Sequence, residues 1–244
     1  MESTKYVVIF ILILTAAVAV SLTGLREATK EQSATNEDIF NKRAILTAVQ
    51  DYLPNGQKVA DLTDEQVLEL FAQMNQPVVD MEGNIIEGVK AESIDMAKER
   101  KKPEAERRLP VYVYEQDGQK FYILSVRGNG LWDEIWGSVA LKSDLNTIAG
   151  ATFDHKGETP GLGAEIKDNP SFAKQFEGKE IYESDGDYVS IKVRKGGARD
   201  PKHEVDGISG ATVTADGVSE MLYRGLQYYQ PYIDKVKQQS FLLN

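Results

Sequence analysis

One stretch of this chain decides its fold, and it reads Asp206-Gly207-Ile208-Ser209-Gly210-Ala211-Thr212-Val213-Thr214. Gly207 and Gly210 permit a positive φ, and the residues between Ser209 and Ala211 carry almost no side-chain bulk. Apolar residues at helical spacing begin immediately afterwards. The stretch is therefore predicted to be a shaped loop that opens a helix.

A loop that opens a helix is suited to binding a phosphate group. Backbone N–H groups are free at a helix start and the helix dipole is positive there, so an anion is stabilised. The hydroxyls of Ser209, Thr212 and Thr214 can donate further hydrogen bonds to phosphate oxygens. The alternative is that one of these hydroxyls only caps the helix, which is the commoner role of Ser or Thr at such a position.

The helix that follows should be long and amphipathic. Its apolar residues are three to five positions apart, and Pro231 predicts a kink or break. The apolar positions are Val213, Val218, Leu222, Leu226, Tyr229, Ile233 and Val236.

Upstream of this helix, alternating residues and turns predict an antiparallel sheet. Val111-Tyr112-Val113-Tyr114 and Phe121-Tyr122-Ile123-Leu124 flank Asp117-Gly118, a dipeptide typical of a tight hairpin turn. The predicted order of elements along the chain, with helices first and then an antiparallel sheet followed by a helix, indicates an α+β fold. Further strands are predicted at residues 138–141, 147–153 and 188–193.

Residues 155–163 contain too much glycine and proline for a helix or a strand. They read His155-Lys156-Gly157-Glu158-Thr159-Pro160-Gly161-Leu162-Gly163. Such a composition predicts a second shaped loop.

The N-terminus predicts a membrane anchor. No charged residue occurs from Tyr6 to Leu25, and a helix of about 20 residues is about 30 Å long, enough to cross a hydrocarbon core. A cleaved signal peptide is the alternative, because Lys5 precedes the run and Ala17-Val18-Ala19 resembles a cleavage site. A retained anchor is preferred, since the apolar run continues to Leu25.

Between the anchor and the sheet, helical segments are predicted. After polar residues 27–38, apolar residues at helical spacing predict an amphipathic helix that ends at Pro54, and Thr63-Asp64-Glu65-Gln66 fits a capping box that starts another. A strand pair should turn at residues 82–84. The basic run from Lys98 to Arg108 is interpreted as a solvated loop or exposed helix, with a partner-docking patch as the alternative.

Charge and composition exclude several classes of protein. With 28 Lys and Arg against 38 Asp and Glu, the formal net charge is −10, which disfavours a nucleic-acid binder. The absence of cysteine excludes disulfides, thiolate metal sites and a cysteine nucleophile. The two histidines, His155 and His203, lack metal-binding spacing, and no nucleotide-binding fingerprint is present. We therefore predict no catalytic residue, no metal site and no common NAD or ATP site.

Two motifs together resemble those of a flavoprotein family. Residues 206–214 fit the pattern D-G-x-S/T-G-A-T-x-S/T, and Glu158 to Gly163 reads ETPGLG, a second hallmark of the same FMN-binding domain. Gly130-Leu131-Trp132 with Trp136-Gly137 adds a weaker likeness. With its N-terminal anchor and its length, the chain resembles the C-subunit family of the Na⁺-translocating NADH:quinone reductase. The alternative is the G subunit of Rnf-type ion-translocating electron-transport complexes, which shares both motifs.

The resemblance implies a covalent flavin. In the family, a separate flavin transferase that uses FAD and magnesium joins FMN by a phosphoester bond to the threonine after Gly-Ala, which is Thr212 here. Thr214 is the competing acceptor. A threonine hydroxyl needs activation, and Asp206 is the only obvious base nearby, so dependence on another enzyme is chemically reasonable.

The resemblance also implies which residues surround the flavin. Leu162 would pack on the ring, residues 158, 159 and 163 would hold its polar edge or the ribityl hydroxyls, and Lys195 would pair with phosphate or flavin. Trp132 and Trp136 are expected in the core instead. The predicted cofactor-binding residues are Thr212, Glu158, Thr159, Leu162, Gly163, Lys195, Ser209, Gly210, Ala211 and Thr214.

By the same resemblance, the chain is an electron relay between other redox and membrane subunits, and the whole complex oxidises NADH, reduces ubiquinone or menaquinone and exports Na⁺. Its predicted location is the bacterial inner membrane, with a single span and the flavin domain on the periplasmic or outer side. The predicted domains are the anchor at 1–25, a membrane-proximal helical and mixed region at 26–108, and an FMN-binding domain at 109–244.

Overall fold

The structure, a computed structural model, describes residues 2–242. Its helices are α1 (Glu2–Thr47), α2 (Asp64–Ala72), α3 (Met96–Glu99), α4 (Glu165–Asp168), α5 (Pro170–Lys174), α6 (Thr212–Tyr228) and α7 (Gln230–Leu242). Its strands are β1 (Val78–Val79), β2 (Leu109–Gln116), β3 (Gln119–Asn129), β4 (Glu134–Leu141), β5 (Ile148–His155), β6 (Lys192–Arg194) and β7 (Glu204–Asp206). The predicted α+β class is confirmed.

The N-terminal helix α1 differs from the prediction at its end. The polar residues 27–38 are helical, and the helix ends at Thr47 rather than at Pro54. Lys, Glu, Gln and Ala are good helix formers, so a polar segment rich in them continues a helix. The N-terminal part of α1 is long and apolar enough to cross a membrane. By internal contacts the chain divides into residues 1–42 and 43–244, while the domain boundaries at 25 and 108 stay predictions.

Two local predictions before the sheet can be compared with the structure. The capping box that starts α2 is confirmed, because Thr63 Oγ1 accepts from Gln66 N–H and Gln66 Oε1 accepts from Thr63 N–H. The basic run from Lys98 to Arg108 is more ordered than a solvated loop. Its chain wraps around the buried carboxylate of Glu99, which accepts from Lys102 Nζ at 2.8 Å and from Arg108 N–H at 3.0 Å.

Strands β1 to β5 form one antiparallel sheet in chain order. Asp117 and Gly118 join β2 to β3 with φ of 51° and 76°, as a two-residue type I′ turn requires. The predicted hairpin is therefore confirmed, and β4 and β5 include most of the predicted strands at 138–141 and 147–153.

Both faces of this sheet are buried. Side chains alternate along β3, so Ile123 joins the apolar cluster formed with residues 45–91, whereas Leu124 joins the cluster beneath α6 and α7. Helix α6 lies very close to β3: a methyl group on Gly225 would be 2.7 Å from Val126 Cγ1, and one on Gly217 would be 2.3 Å from the Asn129 carbonyl oxygen. The sheet is thus the middle of three layers, and it fixes the position of α6.

A second, two-stranded sheet precedes α6 and differs from the prediction for residues 188–193. Only Lys192–Arg194 forms a strand, β6, and it pairs in parallel with β7. Ser190 has φ of 59°, which interrupts extended backbone before β6. Strand β7 ends at Asp206, so this small sheet leads directly into the loop at 206–214.

The C-terminal helical region is interrupted close to the predicted position. Helix α6 ends at Tyr228 and α7 begins at Gln230, one residue before Pro231. The predicted apolar face is buried from Val218 to Ile233 and half-buried at Val236, whereas Val213 is exposed. The buried face of α6 therefore begins in its first turn at Thr214 and Ala215 rather than at Val213.

Candidate functional site

The loop at 206–214 ends in a helix start that no side chain caps. The N-cap residue of α6 is Ala211, and Thr212 is the first helical residue. The interpretation of these hydroxyls as an N-cap is therefore wrong. Gly210 has φ of 82°, and a methyl group there would lie 2.7 Å from the Gly161 carbonyl oxygen. The two glycine-rich loops are thus in direct backbone contact.

Thr212 and Thr214 have different surroundings. Thr214 is 0% exposed, and its hydroxyl lies 2.7 Å from Glu158 Oε2 and 3.2 Å from the Leu162 carbonyl oxygen. Thr212 is half-buried, and within residues 2–242 its hydroxyl has no hydrogen-bond partner. Only the hydroxyl of Thr214 is thus committed to the protein interior.

Glu158 connects three segments through one carboxylate. It is 5% exposed and accepts hydrogen bonds from the N–H groups of Trp132 at 2.9 Å and Asp133 at 3.4 Å, besides that from Thr214. Burial raises the pKa of the Glu158 carboxyl, but the hydrogen bonds from Trp132, Thr214 and Asp133 outweigh it and hold the pKa below its usual range. Glu158 is therefore an ionised anchor that holds the ETPGLG loop.

Two glycines leave room for this anchor. A methyl group on Gly163 would lie 2.4 Å from Thr214 Oγ1 and 2.7 Å from Glu158 Oε2, and φ of Gly163 is 148°. A methyl group on Gly130 would lie 2.5 Å from Glu158 Oε1. The second hallmark and the weaker likeness at 130–132 therefore meet at the same carboxylate.

Two residues that sequence reasoning did not assign also shape the loop. Glu165 accepts hydrogen bonds from the N–H groups of Gly161 and Gly163. His155 Nδ1 accepts from Glu158 N–H at 3.1 Å, which puts the proton of the neutral imidazole on Nε2. That Nε2 is buried and, within the described residues, has no hydrogen-bond partner. Glu165 follows the glycines closely enough for a local motif to reveal it, whereas Glu158 and Thr214 are too far apart in sequence for that.

The outer side of the two loops presents apolar surface. Leu162 is 40% exposed. Leu131, which directly precedes Trp132 in the sequence, is exposed as well. Trp132 is 64% exposed, so its assignment to the core is wrong. Its N–H binds Glu158 while the indole remains in solvent. Trp136 is half-buried, with the Arg127 guanidinium 4.8 Å from its ring centroid.

The loop after β6 adjoins the loop at 206–214. Gly207 N–H donates to the Arg194 carbonyl at 2.7 Å, and a methyl group on Gly207 would lie 3.4 Å from Lys195 N. The Lys195 side chain is exposed. Asp206 Oδ1 accepts from Ala198 N–H at 2.7 Å. The carboxylate considered as a base for Thr212 is therefore bonded to the neighbouring loop.

The structure thus brings most of the predicted cofactor-binding residues to one place. Direct contacts join Glu158, Leu162, Gly163 and Thr214. Thr159 and Ser209 are exposed in the same two loops, and Ala211 is buried beneath the start of α6.

Comparison with known proteins gives a consistent family. A family model described as an FMN-binding domain matches residues 130–227, which contain both glycine-rich loops. The C subunit of the Na(+)-translocating NADH-quinone reductase of Pseudomonas aeruginosa is 33% identical over 246 residues, covering 91% of each chain. The same subunit of Vibrio alginolyticus is 34% identical over 93% of this chain and 91% of its own.

A solved structure agrees with these sequence relatives. The crystal structure of the C subunit of this reductase from Parabacteroides distasonis has a TM-score of 0.72 and 34% sequence identity, covering 84% of this chain and 96% of that one. Similarity thus extends over most of the chain in both sequence and fold, and it includes the residues of the two loops. The chain belongs to the C-subunit family of the Na⁺-translocating NADH-quinone reductase.

Proposed function

We propose that this chain is an electron-relay subunit that carries FMN joined through its phosphate to Thr212. The observation that carries the acceptor assignment is the difference between the two threonines. Thr214 is sealed beneath the ETPGLG loop and bonded to Glu158, whereas Thr212 is half-buried at the start of α6. A modifying enzyme can therefore reach Thr212 without opening the fold.

Attachment needs an external flavin transferase, because the aliphatic hydroxyl of Thr212 is a weak nucleophile until a positioned base activates it. Asp206 is bonded to Ala198 N–H. In the transfer, Thr212 Oγ1 bonds to the phosphorus of the FMN half of FAD, and the pyrophosphate bond breaks. AMP leaves, and the hydroxyl proton passes to a base of the transferase. The small residues at 209–211 limit steric obstruction of this approach.

The surroundings of Thr212 fit FMN. The uncapped start of α6 suits the phosphate, and the exposed Lys195, whose backbone adjoins Gly207, is the proposed source of positive charge. The exposed side chains of Leu162 and Trp132 offer apolar surface to a flat ring. When bound, FMN supplies the redox chemistry by accepting and releasing electrons.

The remaining predicted contacts divide into two groups. Thr159 and Ser209 are exposed, so their hydroxyls are available to the ribityl chain or the phosphate. Glu158, Gly163 and Thr214 are buried together, and we assign them to holding the loop rather than touching the flavin. A covalent tether on this frame prevents loss of the cofactor and keeps its local concentration high during repeated encounters.

The partners follow from the names of the relatives. We propose that the chain works with the other redox and membrane subunits of a reductase that oxidises NADH, reduces a quinone and exports Na⁺. The apolar part of α1 serves as a retained single-span anchor in the bacterial inner membrane, with the flavin domain on the periplasmic or outer side.

Peptide mass spectrometry tests the acceptor. The full chain, co-expressed with its flavin transferase, is digested and its peptides are fragmented. We expect the mass of FMN, less one water, on Thr212. An unmodified Thr212 in a coloured, flavin-containing preparation, or FMN on Thr214, would overturn the assignment. Flavin that is released on denaturation would show a non-covalent cofactor instead.

A further inference from the structure

We propose that Glu183, Asp200 and His203 form a binding site for a divalent transition-metal ion such as Zn²⁺, separate from the flavin site. One oxygen of each carboxylate and one imidazole nitrogen of His203 all lie within 4.8 Å of one another. The three residues come from two turns, one at 183 and one at 200–203, that the fold brings together.

His203 is arranged as a metal-binding histidine is. It is 6% exposed, and its Nδ1 lies 2.6 Å from the Glu180 carbonyl oxygen. A carbonyl only accepts, so Nδ1 carries the proton and the neutral ring has its lone pair on Nε2. This backbone contact, outside the cluster, is the arrangement that orients imidazole ligands in metal sites.

The free nitrogen of His203 faces negative charge. Its Nε2 lies 3.4 Å from Glu183 Oε2. A lone pair opposite a carboxylate oxygen is unfavourable, and either a proton on Nε2 or a metal cation between the two atoms relieves the repulsion. A zinc ion with bonds of about 2.0–2.1 Å to N and O in tetrahedral geometry separates its ligand atoms by about 3.4 Å. The observed separation therefore already matches one edge of such a site.

Asp200 is positioned to complete the site. Its Oδ1 accepts from Lys202 N–H at 2.8 Å, which fixes the carboxylate within its turn. Nearby ammonium groups are engaged elsewhere, because Lys202 Nζ pairs with Glu180 and Lys179 Nζ binds the Pro201 carbonyl. Two carboxylates and one imidazole match Zn²⁺ better than Mg²⁺ or Ca²⁺, which prefer oxygen ligands alone.

This site departs from the expectation of no metal, because its ligands lack any recognised sequence spacing. Its structural effect is to tie the turn at 180–183 to the turn that precedes β7. Since β7 leads into the loop at 206–214, the ion would stiffen the chain on the approach to Thr212.

Zinc titration of the full chain tests the proposal. The metal-free protein is purified in detergent with a tag that contains no histidine and titrated with Zn²⁺ by calorimetry. Co²⁺ absorption reports the coordination, and thermal unfolding reports stabilisation. The absence of cysteine keeps background binding low. We expect one ion per chain, a higher Tm with Zn²⁺, and affinity at least tenfold lower in His203→Gln and in Glu183→Gln.

Asp187→Asn is the matched control. Asp187 is exposed in the same turn as Glu183 and is outside the cluster, so the variant removes an equal charge and should bind zinc as the parent does. Glu183→Gln keeps the test valid if His203→Gln fails to fold, because the Glu183 side chain is 47% exposed and its substitution should leave the fold intact. The proposal is overturned if neither variant binds more weakly than Asp187→Asn, or if Mg²⁺ binds as tightly as Zn²⁺. The first result would indicate that His203 and Glu183 only pair with each other, and the second that oxygen atoms alone bind the ion.

Discussion

Thr212 and Thr214 are two residues apart on one helix, yet they belong to different regions of the molecule. At about 100° per residue, positions i and i+2 point about 200° apart. Thr214 therefore enters the buried network of Glu158 and Gly163, while Thr212 remains at the outer edge with Leu162 and Trp132. One motif thus supplies a structural hydroxyl at Thr214 and, in the proposed function, the flavin-bearing hydroxyl at Thr212.

The inner region, around Thr214, and the outer region, around Thr212, differ in how many of their polar groups have hydrogen-bond partners. In the inner region, the Glu158 carboxylate accepts three hydrogen bonds, and the glycines at 130 and 163 admit no larger residue. In the outer region, an uncapped helix start lies near exposed apolar side chains. Substitutions in the inner region should therefore change stability, and those in the outer region should change the cofactor.

The largest expected effect is the loss of all covalent flavin in Thr212→Val. Valine has nearly the same shape as threonine and similar helix propensity, but it has no hydroxyl to form the phosphoester. In-gel flavin fluorescence after denaturing electrophoresis should fall to background, while unfolding free energy stays within about 0.5 kcal/mol of the parent. Retained covalent flavin would contradict the assignment.

Glu158→Gln should give the largest loss of stability. It removes the charge of a buried acceptor and turns an NH₂ group toward donors, which should cost about 2–3 kcal/mol of unfolding free energy. Chemical unfolding of the full chain in detergent measures this loss. Glu87→Gln, at an exposed glutamate, is the control and should change little. Equal effects in the two variants would contradict the role of Glu158 as an anchor.

The effect of Glu158→Gln should depend on pH. The pKa of Glu158 in the folded chain is below its ordinary value of 4.5, so the ionised carboxylate stabilises the fold above that value. This contribution is lost as the pH falls through the folded pKa. The difference in unfolding free energy between parent and variant should therefore be widest above about pH 5 and narrow below about pH 4. A constant difference would show that ionisation is not the cause.

Thr214→Val should be the converse of the substitution at Thr212. It leaves Glu158 Oε2 without its hydroxyl donor, at a cost of about 1–2 kcal/mol, yet Thr212 keeps its acceptor oxygen. Covalent flavin should remain at the level of the parent, as measured by absorbance per chain after denaturation. A parallel loss of flavin in well-folded Thr214→Val would remove the distinction between the two threonines.

Trp132→Ala should have the smallest effect on stability, within about 0.5 kcal/mol, because the indole is exposed. If the indole covers the flavin ring, it quenches flavin emission, so fluorescence per covalent flavin should rise in this variant. Trp132→Phe is the matched control that keeps an aromatic ring. Unchanged emission in Trp132→Ala would place the flavin ring away from this side chain.

Sequence reasoning predicted the features that depend on local patterns. The hairpin turn at 117–118 and the capping box at Thr63 were predictable, because each depends on a few adjacent residues. The contacts of Glu158 with Trp132 and Thr214 were not predictable, since they join distant segments that only the folded sheet brings together. Trp132 was misassigned for a related reason: its backbone N–H donates to the buried Glu158 carboxylate, while its indole side chain remains in solvent.

The close packing of α6 on β3 has a consequence for electron transfer. Gly217 and Gly225 let α6 approach β3 so closely that even one methyl group at either position would collide with the strand. The position of Thr212 at its first turn thus depends on contacts further along the same helix. The packing of α6 on the sheet would then help to set the distances between the cofactor and its redox partners. A larger side chain at Gly225 would therefore change the electron-transfer rate without touching the flavin.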